Sequence, residues 1–203
     1  MKNKDISFGF QVISDVVVAG VDEVGRGALA GPLVVSLVIL DRHQRIAGLN
    51  DSKQLSAKTR DRLFDEIQEK ALYIDTEFID VAEIDQINIL NATKKAMNAL
   101  LDRAVFDHAL IDAVELKRSN TTSIIKGDEQ SISIAAASII AKVTRDRYMV
   151  ELDQQYPAYD FVHNKGYGTK RHLAALQTHG VIPGIHRQSF APVAAASQLF
   201  FDL

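Results

Sequence analysis

Cysteine is absent from the 203 residues. That excludes thiol nucleophiles, zinc–thiolate sites and disulfides, and it accords with a reducing compartment such as the cytoplasm. Long apolar runs are lacking too. None approaches the roughly 20 residues a membrane-spanning helix needs, and Met1 to Gln11 carries no signal-peptide apolar segment, so no membrane role is expected. Strong net charge is also missing: the formal balance is −3, which argues against a nonspecific nucleic-acid binder. With 47% apolar and 24% charged residues, the chain has the make-up of an ordinary globular protein. A single domain of this length buries roughly 70% of its unfolded surface, so it needs neither disulfides nor a structural metal to fold.

The charge is unevenly laid out. Between Lys142 and Arg187 seven Lys or Arg face four acids, and four of the six histidines lie there; residues 1–141 sum to −5. An acidic body with a basic C-terminal quarter suits a protein that holds a cation in one place and a phosphate chain beside it. Random scatter of surface charge gives the same totals.

Hydrophobic periodicity predicts an α/β domain with a mixed sheet. Val16–Val21 and Leu33–Leu40 are continuous apolar runs, the pattern of strands covered on both faces. In Leu72–Asp80, Leu72, Ile74 and Phe78 alternate with Tyr73, Asp75 and Glu77, as in a strand with one wet face near a sheet edge. Ala109–Ile111 and Ser123–Ile125 supply two shorter strands. Ser56 is placed to cap a helix with the stripe Leu63, Ile67, Ala71. A second helix runs through Ala92, Ala96, Met97, Leu100, Leu101, Ala104 and Val105. A third spans about Ser131 to Leu152, with Ala135–Ala137 permitting close approach to a sheet. After Pro157 only short helices and loops are expected, and no repeat, linker or internal boundary stands out.

Chemistry gathers where apolar strands end in acid. Asp22 and Glu23 follow the first strand, Asp112 follows Ala109–Ile111, and Asp128 follows Ile124–Gly127. Ionised carboxylates are costly to bury alone, so they belong where strands emerge toward water or a cation. Side chains alternate along a strand, so Glu23 is expected past the last regular position if it shares a site with Asp22. Each acid alone reads equally as a surface turn. Three such strand ends point to one shared site, and four crowded carboxylates call for hard cations, Mg²⁺ or Mn²⁺, to offset their repulsion. Two such ions can activate water and stabilise a leaving oxygen in phosphodiester cleavage. Gly25-Arg26-Gly27 leads into a strand, not a helix, and no Gly-Lys-Ser/Thr occurs, which argues against a Rossmann or P-loop nucleotide site.

Several segments taken together resemble bacterial ribonuclease HII, of the type 2 ribonuclease H family. They are Asp22-Glu23-Val24-Gly25-Arg26-Gly27, Asp51-Ser52-Lys53, Leu110-Ile111-Asp112, Lys126-Gly127-Asp128, Ser133 to Asp146, Asn164 to Thr169, and His186 to Pro192. The resemblance runs in order from about residue 16 to 192. It implies a ribonuclease-H-like mixed five-stranded sheet flanked by helices, with a helical C-terminal extension. On that pattern the whole chain is one catalytic domain, a core over about 16–155 and the extension over about 156–203. It also implies cleavage of the RNA strand of RNA/DNA hybrids, and cutting on the 5′ side of single ribonucleotides in duplex DNA to leave 3′-hydroxyl and 5′-phosphate ends.

By position, the resemblance makes Asp22, Glu23, Asp112 and Asp128 the ligands of a two-metal site. Gly25, Arg26 and Gly27 would read the ribose 2′-OH through the backbone, which is where RNA differs from DNA. Tyr167 would stack on the next sugar and sense the RNA–DNA junction, and Lys53, Lys142 and Lys165 would hold phosphates. Without the resemblance, Tyr167 reads as a loop aromatic filling a gap. Lys142 can pair with Asp146, though that order of charges is the weaker one. His163, His172, His179 and His186 match no zinc spacing, so surface or phosphate contacts are expected of them. Ala113 departs from the pattern, which often has Gly there. No substrate-binding domain precedes the core, which disfavours ribonuclease HIII. Gln198 to Leu203 resembles peptides that dock on sliding clamps, while packing on its own domain is the favoured reading. A monomer is the default. A non-catalytic hybrid-binding or clamp-associated module is the alternative function, and another nuclease of the broad fold, an exonuclease or resolvase, is separable by product size.

Overall fold

The computed structural model describes residues 16–201. In chain order its elements are β1 (Val18–Val24), β2 (Leu33–Leu40), α1 (Ala57–Lys70), β3 (Ala71–Ile79), α2 (Val81–Ile87), α3 (Ile89–Arg103), β4 (His108–Asp112), β5 (Thr121–Ile124), α4 (Gly127–Gln130), α5 (Ile132–Gln155), α6 (Phe161–Asn164), α7 (Lys170–His179) and α8 (Ala191–Phe201). The five strands form one sheet in the order β3-β2-β1-β4-β5. β1 pairs antiparallel with β2 and parallel with β4, and β4 is parallel to β5. This is the mixed sheet the periodicity predicts, with the alternating strand at an edge.

Local chemistry explains most boundaries. Ser56 caps α1 by accepting from Thr59 N at 3.1 Å, and Leu63, Phe64 and Ile67 are buried on its inner face. Burying each such side chain contributes roughly 1.5–3 kcal/mol. Ala71, expected on that helix, instead opens β3. Asp80, expected to end a strand, caps α2 by accepting from Glu83 N at 2.8 Å, which exposes a short helix the sequence pattern does not reveal. Leu72 and Phe78 are exposed on β3, while Ile74 between them on the same face packs against the core. Val105 is likewise exposed, beyond the end of α3.

The chain divides into two compact units, one formed by 16–24, 34–77 and 94–143 and the other by 25–33, 78–93 and 144–201. In the first, α5 residues Ala135–Ala137, Ile139, Ile140 and Val143 pack with Val38, Leu63, Phe64 and Ile67. Small side chains matter here. A Cβ on Gly20 of β1 would lie 2.0 Å from the Ser133 carbonyl carbon, so strand and helix meet backbone to backbone. In the second unit Leu29, Ala30, Met149, Tyr159, Phe161, Leu176 and Val193 form the core. Among the described residues no helix is long and apolar enough to cross a membrane.

Candidate active site

β1 carries Asp22 and Glu23 in register with Ser36 and Val35 of β2. The strand therefore runs to Val24, and Glu23 lies inside it, not beyond its last regular position. The reason is the Val24–Val34 pair, which continues the apolar ladder past the two acids. The Glu23 carboxylate still stays near enough to that of Asp22 to raise it. Asp22 shares the face of Gly20, the face that meets α5. The Ser138 hydroxyl of α5 donates to its carboxylate, and Ser138 is itself 2.9 Å from Ser52 Oγ. Glu23 N donates to Asp22 Oδ1 at 2.7 Å.

Asp112 is the last residue of β4, and its Oδ1 accepts from Gly127 N at 2.7 Å. Asp128 lies one residue further on, in the first turn of α4, not at the end of β5. A second buried acid meets it there. Asp51 stands against Asp128 and raises it, while its Oδ1 accepts from Lys53 N at 2.8 Å. Asp51 stands in the Asp51-Ser52-Lys53 motif, but nothing in its local sequence separates it from an ordinary cap.

Electrostatics report the convergence. Burial first, then Glu23 and Asp112, push Asp22 well above the usual carboxylate range. Burial, then Asp51 and Asp112, push Asp128 to about 6, with Lys53 opposing. Burial would lower Lys53, but Asp51, Asp128, Asp22 and Asp112 together raise its ammonium above its ordinary value. Its Nζ lies 3.9 Å from Asp128 Oδ2. One cation thus feels four carboxylates. Among the described residues no three acids or histidines are drawn in to the spacing of a finished metal shell. The donor set still fits a hard divalent ion, since every group offered is a carboxylate oxygen. Lys142, also named by the sequence pattern, is half-buried on α5.

Ala113 follows the third acid with φ at +48°. An L side chain in that region costs roughly 1–2 kcal/mol, and glycine avoids the cost. Ala113→Gly is therefore expected to raise the melting temperature by about 2–4 °C for a stabilisation near 1 kcal/mol. Thermal unfolding followed by circular dichroism checks this, and a lower midpoint would contradict it.

In the second unit Gly25-Arg26-Gly27 is shaped by two fully buried arginines. Arg187 donates to the carbonyls of Gly25 (2.7 Å), Arg26 (3.0 Å) and Gly31 (2.9 Å). Arg145 donates to those of Ala30 (3.0 Å), Pro32 (2.9 Å) and Lys165 (2.8 Å). Burial, then Arg145, lower Arg187 to about 9, so it stays charged at neutral pH. In a trans peptide the C=O and the next N–H point opposite ways. With the Gly25 and Arg26 carbonyls turned to Arg187, the N–H groups of Arg26 and Gly27 are directed away from it. A Cβ on Gly25, whose φ is +94°, would sit 2.3 Å from Arg145 Nε. Asp85 steadies the segment after Arg187, accepting from Gln188 N at 2.9 Å and Ser189 N at 3.0 Å.

Tyr167 belongs to the same hub. Arg145 lies over its ring at 5.5 Å, and the preceding Gly166 carbonyl accepts from Leu29 N at 2.8 Å. Lys165 Nζ donates to the Val162 carbonyl. Two of the four histidines depart from expectation. His172 and His186 are fully buried, not surface or phosphate contacts, because each finds a polar partner inside: their Nε2 atoms are 3.1 Å apart. His163 and His179 are exposed.

Solved structures share this architecture. Ribonuclease HII of Archaeoglobus fulgidus, solved in complex with PCNA, superposes with TM-score 0.75 at 26% identity, covering 86% of this chain and 95% of that one. A ribonuclease HIII solved with Mn²⁺ superposes at 0.68 with 21% identity, covering 91% and 70%, and shares the fold. The sheet and these likenesses define a ribonuclease H, an endonuclease of RNA/DNA hybrids. The ribonuclease HII family model matches residues 19–193. The Enterococcus faecalis ribonuclease HII is 56% identical over 180 residues, 87% of this chain and 70% of that protein. The chain belongs to the ribonuclease HII family.

Proposed function

We propose that Asp22, Glu23, Asp112 and Asp128 hold two divalent cations, Mg²⁺ or Mn²⁺, and that the enzyme cuts on the 5′ side of a ribonucleotide in duplex, leaving 3′-hydroxyl and 5′-phosphate ends. The observation that carries this reading is the gathering of Asp22, Asp51, Asp112 and Asp128 about Lys53, whose Nζ lies 3.9 Å from Asp128 Oδ2. So much negative charge around one cation suits a metal site better than a stabilising core. Bound there, such ions supply activation of water and stabilisation of the leaving oxygen. The protein's own groups do the rest. Ser138 and Glu23 N orient Asp22, and Gly127 N orients Asp112. Lys53 and Lys142 hold phosphates, and Lys165 joins them by giving up the Val162 carbonyl. The outward N–H groups of Arg26 and Gly27 take the ribose 2′-OH, and Tyr167 stacks on the following sugar.

Purified protein is expected to nick a duplex holding one ribonucleotide only when Mg²⁺ or Mn²⁺ is added, once, on the ribonucleotide's 5′ side. An all-DNA control stays intact. A missing nick, or stepwise release of nucleotides, would overturn the reading. We further propose that the whole chain works as one catalytic domain and as a monomer, in a reducing cytoplasm as the lack of cysteine suggests.

The relative solved with PCNA favours a clamp reading for Gln198 to Leu203. Gln198 is exposed at the end of α8, while Asp202 and Leu203 lie outside the described residues. Deleting 198–203 should abolish capture by the sliding clamp; unchanged capture removes the idea.

A further inference from the structure

The buried histidine pair has no part in the function so far described, yet every ring nitrogen in it is engaged. Ile182 N donates to His186 Nδ1 at 2.9 Å, so that nitrogen carries a lone pair. A neutral His186 must then bear its proton on Nε2 and donate it to His172 Nε2, 3.1 Å away. His172 is left with its proton on Nδ1, which donates to the Tyr167 carbonyl at 3.0 Å. One chain of hydrogen bonds thus runs from Ile182 through both rings to Tyr167, and its direction is set at the first step. Both rings are neutral: burial lowers His172, and burial together with His172 lowers His186 to about 4. Tyr159 and Phe161 pack around them with ring centroids 5.0–6.3 Å away. A core of that kind is filled at less cost by two apolar side chains, so the polar pair points to a task at its outlet.

That outlet, Tyr167, is a loop residue flanked by two glycines, Gly166 and Gly168. A backbone so flanked samples many conformations unless held from outside. Tyr167 N donates to the Asn164 carbonyl at 2.9 Å, which fixes one side of the residue; His172 takes the other, beside Thr169 N at 2.8 Å.

We propose that His172 and His186 are positioning residues that lock the Tyr167 carbonyl, and so the angle at which the tyrosine meets a sugar at an RNA–DNA junction. This rests on the junction-sensing assignment of Tyr167 made above. Two substitutions separate it from simple core filling. In His172→Asn the amide lies near the place of Nδ1 and still serves the Tyr167 carbonyl. In His172→Gln the amide lies near Nε2, serving His186 and leaving the carbonyl.

Each variant is assayed on a DNA duplex with one ribonucleotide and on a continuous RNA/DNA hybrid, with Tyr167→Ala as reference. His172→Gln is expected to lose about tenfold on the single ribonucleotide, the value of one hydrogen bond, and clearly less on the hybrid. His172→Asn should keep the wild-type ratio. Equal losses on both substrates from His172→Gln, or the same loss from both variants, overturns the inference while leaving the tyrosine's role standing. An unchanged ratio in Tyr167→Ala removes that role, and the inference with it. If the variants fail to fold, nitrogen NMR of the wild-type protein decides: His172 protonated on Nδ1 and His186 on Nε2 supports the lock, and the reverse tautomers overturn it.

Discussion

Asp22→Asn is expected to reduce cleavage of the RNA strand by about a thousandfold or more, the scale of losing a charge that holds a catalytic cation, while making the metal-free protein harder to melt. The two effects share one cause. Burial, Glu23 and Asp112 raise the folded-state pKa of Asp22 above its unfolded value. A group raised in this way stabilises the fold fully below its unfolded pKa, and that contribution is lost as pH rises through the folded pKa. At neutral pH, well above the unfolded-state range, Asp22 therefore works against the metal-free fold. The amide keeps the shape and the hydrogen bond to Ser138 but sheds the charge. Melting curves at pH 7 without metal should place the variant above wild type, with the gap closing in acid. Added Mg²⁺ should stabilise the wild type more than the variant, because the cation binds only the folded state. Asp128, at about 6, extends the same reasoning to activity, which should fall as pH drops through about 6 and protons compete for the carboxylates. Retained turnover in Asp22→Asn, or equal stabilisation of both proteins by Mg²⁺, would sink the assignment.

Arg187→Met should damage both stability and substrate reading. Its guanidinium serves the carbonyls of Gly25, Arg26 and Gly31, and it is fully buried. Each acceptor that loses its donor costs about 1–3 kcal/mol; with Gly25 still accepting from Ala28 N at 3.3 Å and the Arg26 bond only part-buried, the three together cost about 3 kcal/mol. For a chain of this size that is a fall of roughly 6–12 °C in melting temperature. Arg187→Lys should recover little, since a single ammonium cannot span carbonyls that the planar fork reaches together. Where the folded fraction suffices for kinetics, KM for the single-ribonucleotide duplex should rise, because the peptides of Arg26 and Gly27 are no longer held outward. A variant melting within about 2 °C of wild type, a cost below 1 kcal/mol, would show that the arginine is dispensable.

Much of the fold was legible in local pattern. Leu33–Leu40 reads as a covered strand and is one, and the alternation of residues 72–80 places β3 at an edge. Ser56 caps the helix it was expected to cap. Boundaries slipped where a local signal had two uses: Asp80 looks like a strand end and acts as a helix cap. Of the candidate site, the acids at strand ends stood out because a charge beside a buried strand is conspicuous against its apolar neighbours. Asp51 did not, because beside Ser52 and Lys53 it looks like any capping acid until Asp128 is brought against it.

Local pattern was enough to place the main strands and helices, α2 excepted, to make the chemistry carboxylate chemistry without thiols, and to identify the family pattern the chain resembles. Periodicity and composition are local properties, and each of those conclusions needs nothing more. The tertiary structure alone decided that Arg145 and Arg187 are buried anchors of backbone carbonyls and that His172 and His186 face each other. It also decided that Glu23 stays within its strand. A polar side chain is tolerable inside a protein only when partners distant in sequence meet it there, and no window of residues records where those partners will be.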